Sequence, residues 1–338
     1  MTVLTGPVTA VPAAGKPRLT RWVLRLHRPA LYGWVGLAAV LAALLIALAG
    51  PLADAAAEGW RQYDACDFHD PCHYDQNAIL RYKDWYDYTT TTLNVLPLLV
   101  AAWAGAALTG RELESGTARL AWTQASSPAR WLTVRLAVPA LAVAAGTGLL
   151  FWLHRRAWAA GRGRIDTLKT WYDTWTFHAN GPTTLALTLA GLAAGALAGL
   201  LCRRTLPALI LGVVFTSGVW GLAQQLMPHL WPTVTRTASL KDGYPGSGIS
   251  VEQGLVTRTG AHLPSPYCSS DATCHAVYAK AVGYYNTFHP SSHYWPLQLT
   301  TSALILAVTG LLVLACFLVL RRLTGPAGEL SARRGTSA

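Results

Sequence analysis

Two stretches bring together residue types that can do chemistry. CDFHDPCH offers Cys66, His69, Cys72 and His73, and a second pair, Cys268 and Cys274, repeats the spacing of six. Thiolate and imidazole are the usual ligands of zinc. The spacing fits no standard finger, however, and thiols outside a reducing compartment oxidise to disulfides. Four cysteines allow three connectivities; two local bridges are favoured. Cys202 and Cys316 lie in apolar runs and read as inert apolar side chains. His262, His275, His289 and His293 have no ligand-like spacing and read as surface residues. No metal or cofactor is expected.

The chain carries no nucleotide or hydrolase signature. There is no G-x-x-x-x-G-K-[ST] phosphate loop, since Gly15–Lys16 is followed by Pro17. G-x-S-x-G and H-E-x-x-H are also missing from the sequence. The chain is therefore not expected to be an enzyme, nor to hydrolyse ATP itself.

Any such residues must be positioned by membrane helices. The 338 residues are 52% hydrophobic and 13% charged, with a mean hydropathy of +0.30. A soluble protein is about 25% charged. Half that fraction cannot cover a globule of this size, so a polytopic membrane protein is the first reading. The net charge of +11 sits beside apolar runs rather than on a soluble domain, which argues against a nucleic-acid partner.

Residues 29–53, 88–110, 136–154, 174–202, 205–235 and 281–320 contain no Asp, Glu, Lys or Arg. A span needs about 20 apolar residues, so each window holds one. The spans are placed at 31–52, 91–109, 132–153, 182–202, 205–226 and 298–320. The fold class expected is an all-α polytopic membrane protein. Its parts are a tail and interfacial helix (1–30), five spans with a polar loop at 110–131 (31–226), an outer cap (227–297), a sixth span (298–320) and a tail (321–338).

Charge assigns the sides. The N-terminal region, the 110–135 connection, the Arg203–Arg204 turn and the C-terminus together hold 15 basic and 3 acidic residues, against 12 and 13 on the other face. The positive-inside rule puts the first group, with both termini, in the cytoplasm. Both cysteine pairs then fall outside, in the two longest loops, where disulfides persist. One loop departs from the rule: HRRAWAAGRGRIDTLK (154–169) carries five basic residues on the outer face. Its role is open, between an ordinary surface loop and contact with lipid headgroups or an anionic substrate. In the fourth span Gly191, Gly195 and Gly199 recur every four residues, a small-residue face for close helix packing.

The polar stretch GRELESGTARLAWTQASSPARW (110–131) stands out on the cytoplasmic side. Ser127–Pro128 reads as an N-cap followed by Pro at the first helical position. Glu112, Glu114, Gly116–Thr117, Leu120 and Ser127–Pro128–Ala129–Arg130 resemble the first cytoplasmic loop of type-2 ATP-binding-cassette (ABC) exporter permeases. RELESGTARLAWTQ followed by RW is similar to an actinobacterial branch. GPTTLALTLAGLAAGALAGLLCRRTLPAL and FHPSSHYWPLQ resemble that branch as well. The resemblance covers nearly the whole chain. It departs at AAWAGAALTG, just before Arg111, where the family is bulkier.

The resemblance implies a six-helix exporter half in the plasma membrane, working as a homodimer or heterodimer. It would move a hydrophobic or amphipathic compound, driven by a separate cytoplasmic ABC ATPase. The loop would be the coupling helix that docks on that ATPase, with Arg111, Glu112, Glu114, Gly116, Thr117, Leu120, Trp122, Gln124 and Arg130 as its residues. The alternative is a membrane sensor or accessory protein whose cap binds a ligand.

Overall fold

A computed structural model describes residues 24–67, 71–124, 127–166, 168–265 and 271–325. Among the described residues, six helices are long and apolar enough to cross a membrane: Arg28–Asp64, Gln76–Glu114, Pro128–Gly161, Pro182–Cys202, Thr205–His229 and Ser291–Thr324. They are called spans 1 to 6. Several outrun their apolar windows. Span 1 breaks at Gly50, whose φ of −128° and ψ of −105° leave the helical region, and resumes at Pro51. The 54–90 stretch expected as a loop is largely a helical hairpin, since Gln76–Trp103 starts at an Asp75 cap that accepts the Ala78 N–H. Half of the interfacial helix expected before span 1, residues 19–23 of 19–28, falls on residues that are not described.

Span 4 is the axis of the bundle. Most of its side chains are buried, whereas few of those in spans 1, 5 and 6 are. The three glycines explain its position. A side chain at Gly191 would collide with the Pro97 carbonyl, at Gly195 with the Ala101 carbonyl, and at Gly199 with Thr109 Oγ1. Span 2 therefore lies against the glycine face, and Thr109 Oγ1 donates to Ala196 O at 3.1 Å. In lipid, where burial of apolar surface drives little association, such close backbone approach is what holds helices together.

The short connections lie at one end of the bundle, and a sheet lies at the other. This sheet corrects the all-α expectation. Val234–Ser239 (β1), Ile249–Thr257 (β2), His262–Pro264 (β3) and Ala281–His289 (β4) pair antiparallel in the order β1-β4-β2-β3. The β-branched and aromatic residues of VTRTAS, ISVEQGLVT and AVGYYNTFH favour a pleated surface. The abundant Pro, Gly and Ser sit mostly in the turns between them. A second correction concerns His289, read as a surface residue. It is fully buried, with Nε2 2.9 Å from Pro228 O and Nδ1 3.2 Å from His293 Nδ1. A carbonyl only accepts, so Nε2 carries the proton and His293 donates to Nδ1.

Cys66 and Cys72 are joined by a disulfide. Cys274 is also disulfide-bonded, while Cys268 and His69 lie outside the described residues. Cys202 and Cys316 are free.

Below the sheet, the bundle holds a network of buried neutral groups. His154 Nδ1 and Asn180 Oδ1 are 2.7 Å apart, and His154 Nε2 and Thr90 Oγ1 are 2.8 Å apart. Gln298 donates to Phe177 O at 2.5 Å and accepts from Thr183 Oγ1 at 2.9 Å. Tyr294 OH donates to Asn180 O at 2.7 Å. The carbonyls of the short helix Thr174–Ala179 and the following turn end where no helix continues, and these side chains satisfy them.

Candidate functional site

The polar stretch 110–131 is built in three pieces at the end away from the sheet. Span 2 first widens into a π-helix, Ala104–Gly110. These are the small residues of AAWAGAALTG. They let the chain pack tightly: a side chain at Gly105 would collide with Ala208 O of span 5, at a separation of 2.6 Å. A π-helix bonds i to i+5 and is rare outside functional sites. A short helix, Arg111–Glu114, follows. The chain then turns at Gly116, whose φ of +74° is left-handed and favours glycine. A second helix, Thr117–Gln124, follows. Ser127 Oγ then accepts from Arg130 N at 3.4 Å and starts span 3 at Pro128.

Two carboxylates fasten the first short helix, each to a different span. Glu112 is buried and ion-paired with Arg135 of span 3. Arg135 is 1% exposed, so its charge has no access to water. Nη1 donates to Leu108 O of the π-helix at 2.9 Å, and the guanidinium lies 4.6 Å over the Trp131 ring. Glu114 reaches the opposite way. Its Oε2 accepts from Thr205 N at 2.9 Å and from Thr205 Oγ1 at 2.5 Å. Thr205 is the first residue of span 5, so Glu114 satisfies an orphan donor of that helix and meets its positive dipole end.

The turn is braced locally. Thr117 Oγ1 donates to Glu112 O at 3.3 Å and lies 3.0 Å from Ser115 Oγ. The second short helix buries Ala118 and presents Trp122 edge-on to Trp131 at 5.5 Å. Arg119, Leu120 and Thr123 face outward, Leu120 being 59% exposed.

The sequence-selected residues thus divide. Glu112, Glu114 and Trp122 engage the chain's own spans, and Thr117 braces the turn within the segment. Arg111, Leu120 and Arg130 are exposed, and Gly116 makes the turn. The Gln124 side chain is outside the described residues. Sequence reading missed Arg135 as the buried counter-ion and Thr205 as the second anchor. Arg135 carried a signal, being the last charge before the apolar run of span 3. Thr205 carried none, since it meets Glu114 across 91 residues of sequence.

A family model described as ABC-2 membrane transporter related matches residues 35–228, more than half of the chain. The chain belongs to the ABC-2 membrane transporter related family. No curated protein and no solved structure matches it. The matched region runs from the first turns of span 1 almost to the end of span 5 and holds the whole 110–131 segment. Membership of the ABC-2 family makes the chain a multi-pass transport component, the permease subunit of an ABC transporter, and implies an ABC ATPase subunit as partner.

Proposed function

We propose that the chain exports a hydrophobic or amphipathic compound across the plasma membrane, and that residues 111–124 are the coupling helix on which the cytoplasmic ATPase docks. The short-connection end and both termini face the cytoplasm, and the sheet faces outward. The permease acts as a homodimer or as a pair with a related chain, of the actinobacterial type its sequence resembles. The observation that carries this reading is the double fastening of the segment. Glu112 grips span 3 through Arg135, and Glu114 grips span 5 through Thr205. A push on the outward residues Arg119, Leu120 and Thr123 is therefore delivered to two spans at once.

The two halves of this proposal separate experimentally. Arg119→Glu with Leu120→Asp should release the ATPase on co-purification while leaving the permease inserted. Replacing Glu114 and Gly116–Thr117 should leave the ATPase bound and abolish efflux. Normal efflux in the second variant would sink the coupling assignment.

A further inference from the structure

The basic loop at the sheet end breaks the charge asymmetry of the chain, and the packing accounts for only part of it. Arg155 lies over the rings of Tyr294 and Trp295 at 4.6 and 4.7 Å. Arg156 lies 5.6 Å from the Trp152 ring. Arg164 pairs with Asp54 at 2.8 Å. Arg162 lies 5.2 Å from the Trp158 ring, and neither it nor Lys169 has an ion pair among the described residues. They line the same cavity, of about 780 Å³.

The local chain places both on this cavity. Span 3 ends at Gly161, and Gly163, with φ +72°, turns the chain back. Arg162 is thereby left at the rim. Trp158 Nε1 then donates to Lys169 O at 2.9 Å, which brings the returning chain to the same wall. The cavity is also lined by Trp60, Trp158, Trp171 and Tyr172, by Asp64 and Asp166, and by Arg61 and Arg164, whose charges are met by Glu58 and Asp54. Asp64 and Asp166 themselves have no ion pair among the described residues. Ser247 of the β1–β2 turn and Ser291 close the cavity on the sheet side. Tyr294 and Trp295, at the entry to span 6, resemble the aromatic belt of a membrane interface.

We propose that this cavity binds a zwitterionic amphiphile, its phosphate on Arg162 and Lys169 and its ammonium among Asp64, Asp166 and the aromatic faces. Arg and Lys are the side chains that recognise phosphate. A carboxylate pair beside Trp and Tyr rings suits an ammonium, through charge and cation–π attraction. A purely anionic ligand would meet the two carboxylates, and a purely cationic one Arg162 and Lys169, the two lining cations with no ion pair among the described residues. The cavity goes beyond the export reading: it lies far from the coupling segment and is defined whether or not that segment docks an ATPase.

The test uses the full chain in a neutral detergent, titrated with dihexanoyl phosphatidylethanolamine, dihexanoyl phosphatidylglycerol and free phosphoethanolamine. Saturable binding of the ethanolamine lipid is expected. Arg162→Gln with Lys169→Gln should weaken it about tenfold, and so should Asp64→Asn with Asp166→Asn, since each removes charged hydrogen bonds to the headgroup. All four residues are exposed, so the fold tolerates both variants; an unchanged melting temperature checks this. Tighter binding of the lipid than of free phosphoethanolamine assigns the site to a bilayer lipid, and equal binding assigns it to a soluble zwitterion. Equal binding of phosphatidylglycerol, no saturable binding, or variants that bind like the parent would overturn the proposal.

Discussion

The two ends of the bundle solve the same problem with different chemistry. Both must satisfy polar groups where helices stop inside or beside the membrane. At the sheet end this falls to neutral side chains, with His154, Asn180, Gln298 and Tyr294 in a buried hydrogen-bonded network. At the other end it falls to ions, with Glu112 against Arg135 and Glu114 against Thr205. A neutral network tolerates burial well once it is satisfied, and it rigidifies what it joins. A buried ion pair adds little net stability over apolar packing, yet losing one partner is costly. The ionic end thus couples the segment to its spans in an all-or-none way. The difference suggests a fixed anchor at one end and a transmitting joint at the other.

The sharpest way to break this comparison is Arg135→Ala. It leaves Glu112 buried without a counter-charge, and should cost about 3–5 kcal/mol. Thermal unfolding in detergent measures it. Glu112→Gln with Arg135→Met should restore most of that stability while leaving the ATPase uncoupled. A double variant that stays coupled would show that the ion pair serves packing alone.

At the neutral end, His154→Leu strands the Asn180 side chain and should cost about 1–3 kcal/mol. Here coupling should be retained, and a loss of ATP-driven efflux at full protein abundance would erase the distinction between the ends. Gly116→Ala tests the turn of the 111–124 segment. Its left-handed backbone disfavours a side chain by about 1–2 kcal/mol, and the cost should fall on ATP-driven efflux, with the ATPase still bound on co-purification.

The smallest effect concerns pH at the foot of the sheet. Burial holds the His289 imidazole below the ordinary histidine value. The unfolded chain therefore takes up a proton first as the pH falls. Stability of the sheet should decline below about pH 6.5 and be flat above it. His289→Gln should flatten the profile, as followed by hydrogen exchange of β4.

The sequence carries some of these features plainly and conceals others. The six spans are legible because a bilayer demands long charge-free runs, and Gly191, Gly195 and Gly199 are legible because small residues recur on one helical face. The polar segment is legible as an exception to that apolar pattern. The sheet was obscured by the Pro and Gly of its turns, although VTRTAS and AVGYYNTFH carry a strand-like composition. The helical extensions beyond the membrane, such as Pro51–Asp64, rest on amphipathic rather than apolar runs, so a search for spans passes over them. The outward face of Leu120 and the inward reach of Glu114 depend on contacts far apart in the chain. No local pattern encodes those.

The central claim is that residues 111–124 move spans 3 and 5 through Glu112 and Glu114. Spin labels at Leu149 and Leu222, exposed positions toward the sheet end of those spans, test it most directly. Cys202 and Cys316 are first replaced by Ser, and the permease is reconstituted with its ATPase. Adding ATP should shift the distance between the labels in the parent chain. In Glu112→Gln with Glu114→Gln the shift should vanish while the ATPase stays bound. A shift of the same size in that variant would contradict the account.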